Sequence, residues 1–292
     1  MRSLDLTSPV VAAPMAGGPT TPELLRAVAG AGSLGFVPAG YRSAAQLADD
    51  VAEARTVAGD VGVNLFVPER EPVDLEAVRR YRDLIAAEVE ALGAAVGPVV
   101  EHDDDDWDAK VDLLVRDPVP WVSFTFGLPD ASVVSRLRRA GSRLLLTVTD
   151  ADEARAAAEL DPDGLIVQSA AAGGHRGTFD QRRAPGTDDL RTLVGAVRAA
   201  TGVPVVAAGG LSDASAIRDV LDAGAEAVAV GTALLRTDEA GTRPTHREAL
   251  ADPASTSSTM RAFTGRVARG IRTAFSDRYE DQPRRPTRPC TT

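Results

Sequence analysis

The sequence is short of cysteine, histidine and aromatic side chains, and each shortage narrows what the chain can be. Cys290 is the one cysteine in 292 residues. No disulfide framework can form within the chain, which fits a reducing cytoplasm. Aromatics supply 4% of the residues while hydrophobic residues reach 44%. The core must therefore be built from Ala, Val and Leu, and such small side chains suit helices packed closely on parallel strands. No run approaches the roughly 18 apolar residues of a membrane span. The opening MRSLDLTSPVVAAPM lacks the apolar block of a secretory signal. Basic residues are outnumbered, 32 against 42, for a net charge of −10. A surface of that sign opposes nucleic acid and anionic membrane. It does not oppose a small anion, which responds to local dipoles. Composition thus predicts a soluble, cytoplasmic protein whose partners are small molecules.

What is present is rhythm. Eight short apolar runs recur: PVVAAPM (9–15), LGFVPAG (34–40), VGVNLFV (61–67), WVSFTFG (121–127), RLLLTVT (143–149), GLIVQSA (164–170), PVVAAGG (204–210) and AVAVGTA (227–233). They do not alternate with polar residues, so they predict strands buried on both faces of a parallel sheet. Between them lie helical signals. TPELLRAVAGAG has Thr21 as N-cap, Pro22 at the first helical position and a glycine stop at Gly32. PDASVVSRLRRAG and SDASAIRDVLDAGA end likewise at Gly141 and Gly224, and DADEARAAAEL (150–160) carries acids in its first turn, where the helix dipole favours them. Eight right-handed strand–helix units close most simply into a (β/α)8 TIM barrel, an α/β fold.

Residues 68–120 break the rhythm. They predict a helical insertion between strands 3 and 4, two helices and a loop, placed to cover the barrel mouth. Its acidic run, 103–106, reads as a solvated loop with an N-cap rather than a metal site, since four adjacent aspartates cannot converge on one ion without unusual turns; no metal is expected. The barrel should occupy 1–275, and the Pro/Arg-rich end from 276 to 292 reads as a disordered tail.

In such barrels the active site lies at the C-terminal ends of the strands, and the unusual residues fall there. The seventh and eighth runs end in Gly209-Gly210 and Gly231-Thr232. Glycines at these two strand ends let backbone N–H groups approach a phosphate, with a helix N-terminus behind them. The competing reading is that they only make tight turns. The sixth run leads into QSAAAGGHRG, where His175 follows Gly173 and Gly174. A histidine behind a glycine pair at a strand end, with little bulk around it, reads as catalytic. His102 in the acidic loop and His246 at a helix start have no such setting.

APMAGG, GVNLF, VSFTFG, IVQSAAAGGHRG, PVVAAGG, AVAVGTALL and TGRVARGI, spread over residues 7–275, together resemble the nitronate monooxygenase family, formerly called 2-nitropropane dioxygenases. The resemblance implies an FMN flavoprotein with a barrel and a smaller helical region, an oxidoreductase that oxidises alkyl nitronates with O2. It implies that His175 is the catalytic group, removing the α-proton of a nitroalkane or, protonated, pairing with a nitronate. Asn64 and Gln168 match amides that contact the flavin ring, and an amide offers both donor and acceptor. Without the resemblance, Asn64 reads equally well as a polar residue satisfying the barrel rim. Met15 matches a segment lying against the ring through its backbone. Gly173 and Gly174 match a close approach to the ribityl chain or phosphate. Gly209, Gly210, Gly231 and Thr232 would hold the phosphate.

The pattern is broken at Ala171, where the family often has an acid that would orient the histidine or contact substrate. Arg176 reads as a cap on its own loop rather than an anion receptor. FMN- and NAD(P)H-dependent enoyl-thioester reductases share these motifs and form the alternative, although the net negative charge is a poor match for an acidic carrier protein. A flavin-binding barrel without turnover is a third reading. Substrate identity and oligomeric state have no counterpart in the sequence.

Overall fold

The computed structural model describes residues 3–69, 74–100 and 103–280. Its barrel strands are β1 (Val10–Ala12), β2 (Leu34–Pro38), β3 (Gly62–Phe66), β4 (Trp121–Thr125), β5 (Arg143–Val148) and β6 (Gly164–Gln168). After the two-residue β7 (Gly174–His175) come β8 (Val205–Ala208) and β9 (Ala227–Val230). The eight barrel strands pair in parallel, and β9 closes onto β1 through Val10–Val228, Val11–Ala229 and Ala12–Val230. This is the (β/α)8 barrel that the eight apolar runs predict. Each strand is shorter than its run because the rim residues of the run leave the ladder to build the mouth.

The helices are α1 (Pro22–Gly30), α2 (Ala44–Ala58), α3 (Leu75–Ala91), α4 (Trp107–Arg116), α5 (Ala131–Ala140), α6 (Ala151–Ala158), α7 (Leu190–Thr201), α8 (Ala214–Asp222), α9 (Pro244–Ala251) and α10 (Ala274–Tyr279). Their ends follow local chemistry. Thr21 Oγ1 accepts the Leu24 N–H at 3.0 Å and starts α1. Gly141, at φ +107°, terminates α5 in a left-handed conformation that favours glycine. One apolar core lies between strands and helices, with Val63, Val122, Leu146 and Val167 facing Leu47, Leu114, Leu137 and Val194. A second fills the lower barrel with Leu4, Val11, Phe36, Trp121, Leu145, Ile166 and Val206. There Gly62 is required, since a Cβ on it would collide with the Phe36 ring. The N-terminal segment plugs this end: Arg143 Nη1 donates to the Leu4 carbonyl at 2.8 Å, and Glu226 Oε2 accepts the Leu4 N–H at 3.0 Å.

The structure gives two expected segments a more specific form. Of the two inserted helices, α4 packs between α2 and α5 in the outer ring, so it is the barrel's own helix and only α3 is extra. α3 leans on the C-terminal region instead: Tyr81 Oη donates to the Ala262 carbonyl at 2.6 Å, and Glu88 accepts from Arg278 and Tyr279. Residues 276–279, expected in the tail, lie instead in α10, whose Tyr279 is buried and bonded to α3. Residues 281–292, including Cys290, lie outside the described residues.

A small antiparallel sheet adds what the apolar runs do not predict. β10 (Ser257–Met260) pairs with β11 (Ala268–Ile271), and β11 pairs with β7.

Candidate active site

Above the apolar plug, the inward positions of β3 to β6 turn polar. Side chains alternate along a strand, so Asn64 follows Gly62 into the interior, with Ser123, Thr125, Thr147 and Gln168 beside it. Asn64 is buried, and its Nδ2 donates to Ser123 Oγ at 2.9 Å and to Thr125 Oγ1 at 3.0 Å. A longer contact, 3.4 Å, reaches the Ser123 carbonyl. The rim-satisfying role thus accounts for the amide nitrogen. Asn64 Oδ1 accepts from no described residue.

Gln168 organises the loop that follows β6. Its Nε2 donates to the His175 carbonyl at 3.1 Å, and its Oε1 accepts the Gly177 N–H at 2.8 Å. Both ends of the amide therefore hold the loop, leaving one N–H for anything else. Gly177 lies close over Thr147 and Thr125, where a Cβ would stand 2.8 and 3.2 Å from their methyl groups. The loop thus turns back over the polar layer.

His175 is clamped from the other side by the strand pair. Ala268 opposes it in the ladder, and the Arg176 N–H donates to the Val267 carbonyl at 2.8 Å. Its Nε2 lies 2.8 Å from Thr264 Oγ1. Burial, then the charge of Arg266, lowers the imidazole to about 4 from 6.5, so the ring is neutral near pH 7. Arg266 is itself buried, stands 4.8 Å over the Phe126 ring and pairs with Glu69 at 3.0 Å.

Arg176 points away from solvent. It is 8% exposed, and its Nη2 donates to the Thr149 carbonyl at 3.2 Å. Burial pushes its guanidinium below the usual arginine range, against the raising influence of Glu153 and Asp150. It therefore anchors the loop. Glu153 is the loop's second anchor. One carboxylate oxygen accepts from the Thr149 N–H and hydroxyl at 2.7 and 2.9 Å, the other from the Thr178 hydroxyl and the Phe179 N–H at 2.5 and 2.8 Å.

The glycines converge on the opposite side of the mouth. Gly209 and Gly210 take φ of +107° and +73°. A Cβ on Gly209 would fall 2.8 Å from the Ala172 N, one on Gly210 would fall 3.1 Å from Ala171 Cβ, and one on Gly173 would collide with Thr232 Oγ1. Gly231 sits beside Ala13 and Met15. The ends of β1, β6, β8 and β9 thus meet in one place. Tight packing explains part of the glycine requirement. Among the described residues, the N–H groups of Gly173, Gly210, Gly231 and Thr232 donate in no turn, cap or side-chain hydrogen bond, while Gly209 follows the paired Ala208 and Ala229 of the ladder. Gly174 has open space on its Cβ side at φ +78°. Ala171, where an acid would be usual, faces Gly210.

The acidic run is a brace as much as a solvated loop. Asp105 pairs with the buried Lys110 at 2.8 Å and accepts the Tyr41 N–H at 3.0 Å. Lys110 also donates to the Ala39 carbonyl at 2.9 Å, and Asp106 accepts the Ala44 N–H. No group of three metal-ligating side chains exists among the described residues. His246 lies in the first turn of α9, and His102 is outside the described residues. No described helix is long and apolar enough to cross a membrane.

Thr264, Arg266, Glu69, Phe126 and Glu153 escape the sequence reading. TGRVARGI contains the first two, yet nothing in it signals that it folds against residue 175. Glu153 reads as a dipole-favoured acid in the first helical turn and turns inward instead.

Comparison with known proteins agrees with this arrangement. The family model described as nitronate monooxygenase matches residues 1–291. A probable nitronate monooxygenase of Staphylococcus aureus is 32% identical over 278 residues, covering 94% of this chain and 78% of that protein. The structure of a nitroalkane oxidase from Streptomyces ansochromogenes superposes with a TM-score of 0.88 at 43% identity, over 94% of this chain and 80% of the other. FabK from Thermotoga maritima superposes with a TM-score of 0.71 at 25% identity, over 94% and 74%. With the family model spanning nearly every residue, and the glycine turns and His175 loop at the mouth of a closed barrel, the chain belongs to the nitronate monooxygenase family of oxidoreductases.

Proposed function

We propose that the chain binds FMN and oxidises alkyl nitronates with O2, His175 being the protein group beside the reacting carbon. The observation that carries this reading is the convergence of the Gly209-Gly210 turn with Gly173, Gly231 and Thr232, where the N–H groups of Gly173, Gly210, Gly231 and Thr232 donate in no turn, cap or side-chain hydrogen bond among the described residues. Backbone donors almost always find a partner, and four such donors grouped at strand ends suit a phosphate.

The remaining residues fit the same cofactor. Asn64 Oδ1 would accept from the ring N3–H, and the remaining N–H of Gln168 would donate to a ring carbonyl. Met15, against Gly231, would lie with the β1 end beside the ring, and Gly174 would leave room for the ribityl chain. Bound FMN supplies electron acceptance and oxygen chemistry. The chain supplies orientation and management of one proton. A neutral His175 at pH 7 can accept the α-proton of a nitroalkane, but a ring lowered to about 4 is a weak base. It is poorly suited to standing protonated beside a nitronate, so of the two expected roles the neutral one is favoured. Thr264 holds Nε2, so Nδ1 would be the nitrogen that takes the proton.

The test is oxygen uptake. Purified protein should carry FMN, identified after heat release, and should consume O2 with alkyl nitronates. His175→Asn should lower kcat/KM on neutral nitroalkanes by about 10²–10⁴-fold and on preformed nitronates much less. Equal loss on both contradicts the base role. A colourless protein that takes up no FMN ends the reading, and flavin bleaching by NADH with enoyl-thioester turnover would replace it with the reductase. A yellow protein inert to both substrate classes would leave the non-catalytic barrel.

A further inference from the structure

Behind the His175 loop, polar side chains are buried together: Thr149 just past β5, Glu153 in α6, and Arg176, Thr178 and Gln181 in the loop itself. The Glu153 backbone is pinned by the helix cap, where Asp150 Oδ1 accepts its N–H at 2.8 Å. Its side chain turns inward and takes four donors. The Thr149 N–H and hydroxyl meet one oxygen, and the Thr178 hydroxyl and Phe179 N–H meet the other. All four donors are neutral, although a buried carboxylate is normally paired with a cation. The compensating cation is reached through Thr149. Arg176 Nη2 donates to the carbonyl of that same residue at 3.2 Å, and Arg176 Nη1 is buried without a hydrogen-bond partner among the described residues. Burial disfavours the guanidinium charge, and among nearby charges Glu153 opposes this most, then Asp150. Asp150 is already engaged by Arg183 at 3.0 Å. Thr149 thus links two buried charges, giving its N–H and hydroxyl to the anion and its carbonyl to the cation.

This couple holds the loop from the side of α6. Gln168 holds it from the barrel interior, through the His175 carbonyl and the Gly177 N–H. Gln181 Nε2 ties the segment to itself, donating to the Arg176 and Thr178 carbonyls at 3.2 Å each. His175 directly precedes Arg176, so its backbone is set by these bonds. Loss of the Glu153 charge leaves a buried guanidinium without its anion, which is strongly unfavourable. The relief open to Arg176 is to swing towards solvent, drawing residue 175 with it. A glutamine at 153 is no substitute. Each carboxylate oxygen faces a backbone N–H, and the amide nitrogen, which only donates, must point at one of them.

We propose that Glu153, acting through Thr149 and Arg176, is a positioning residue that holds His175 where it can remove the α-proton of a neutral nitroalkane. This rests on the base role of His175 in the proposed nitronate oxidation. A preformed nitronate has already lost that proton, so its oxidation should depend much less on where the ring stands.

Two measurements test it. The first compares kcat/KM on a neutral nitroalkane and on its nitronate, using the flavin-loaded native chain, Glu153→Gln and Thr178→Val. Misplacing the base should lower the rate on the neutral substrate by about tenfold in Glu153→Gln, with the nitronate changed by less than about twofold. Thr178→Val removes one of the four donors and keeps both charges. It should show the same split at a smaller size, which keeps the test in force if Glu153→Gln does not fold. A fall by the same factor on both substrates, as a merely structural residue would give, overturns the proposal, and so does no fall on either. The second measurement is 15N NMR of protein labelled at its three histidines. The His175 ring signals, identified by their loss in His175→Gln, should move in Glu153→Gln and in Thr178→Val, while those of His246 in α9 stay. Unmoved His175 signals overturn the proposal whatever the kinetics show. If neither substrate is oxidised, the proposed function fails, and the His175 signals alone decide whether Glu153 positions the ring.

Discussion

The two halves of the barrel interior are built from the same strands and do opposite things. In the lower half, side chains fill the space: Phe36 occupies the room that Gly62 vacates, Trp121 lies under Arg143 at 4.2 Å, and the N-terminal segment seals the end. In the upper half the inward positions are Asn64, Ser123, Thr125, Thr147 and Gln168, and the strand ends dissolve into glycine turns. Below, polar groups are matched by protein and the gain is stability. Above, Asn64 Oδ1 accepts from no described residue, and the N–H groups of Gly173, Gly210, Gly231 and Thr232 donate in no turn, cap or side-chain hydrogen bond among the described residues. The comparison teaches that a glycine has two meanings here. Gly62 makes way for a neighbouring ring, whereas Gly209 and Gly210 take left-handed φ and turn the chain at the mouth.

The comparison breaks most visibly in the lower half. Phe36→Ala removes a ring that is 2% exposed, and should cost about 3–5 kcal/mol in chemical denaturation. Any flavin bound by the surviving folded fraction should keep its native spectrum, because the mouth is untouched. A matching loss of flavin affinity would show that the halves are not independent.

The upper half is sharpened by pH. His175 titrates at about 4 in the folded chain and near 6.5 when unfolded. As pH falls, the unfolded state takes up the proton first, so stability is full above pH 6.5, declines through the interval and has lost this contribution below 4. The loss should be at most roughly 3 kcal/mol. His175→Gln should flatten that part of the stability–pH curve. A curve identical to that of the native chain would mean the ring is not held neutral by its surroundings.

A smaller effect is expected where the halves meet, at the loop anchor. Glu153→Gln keeps the shape but gives up the charge that four donors share. It should cost about 1–3 kcal/mol and raise hydrogen-exchange rates over residues 176–181, with the lower barrel unaffected. Unchanged exchange in that loop would show that Arg176, with the Gln181 amide that donates to the Arg176 and Thr178 carbonyls, suffices to hold it.

Much of this was written locally. The eight barrel strands are legible because a strand buried on both faces must be apolar throughout, and the helix ends because Thr21 and Gly141 act on their own neighbours. The glycine turns and His175 stand out for the same reason: their constraint is one of backbone space, visible in one short stretch. The ring's own helix within 68–120 is not distinguishable in the sequence, since α4 looks like any other amphipathic segment until α2 and α5 flank it.

What only the tertiary structure decided are contacts between distant segments. β7 is two residues long and becomes a strand only because Ala268 and Arg269 lie opposite it. The same encounter brings Thr264 and Arg266 to His175 and lowers its proton affinity. Glu153 acquires its partners when the loop folds back, and the acidic run finds Lys110. A sequence records which groups are available and which local conformations they favour. The field at an imidazole depends on charges about a hundred residues away in the chain, so it exists only after the barrel has closed.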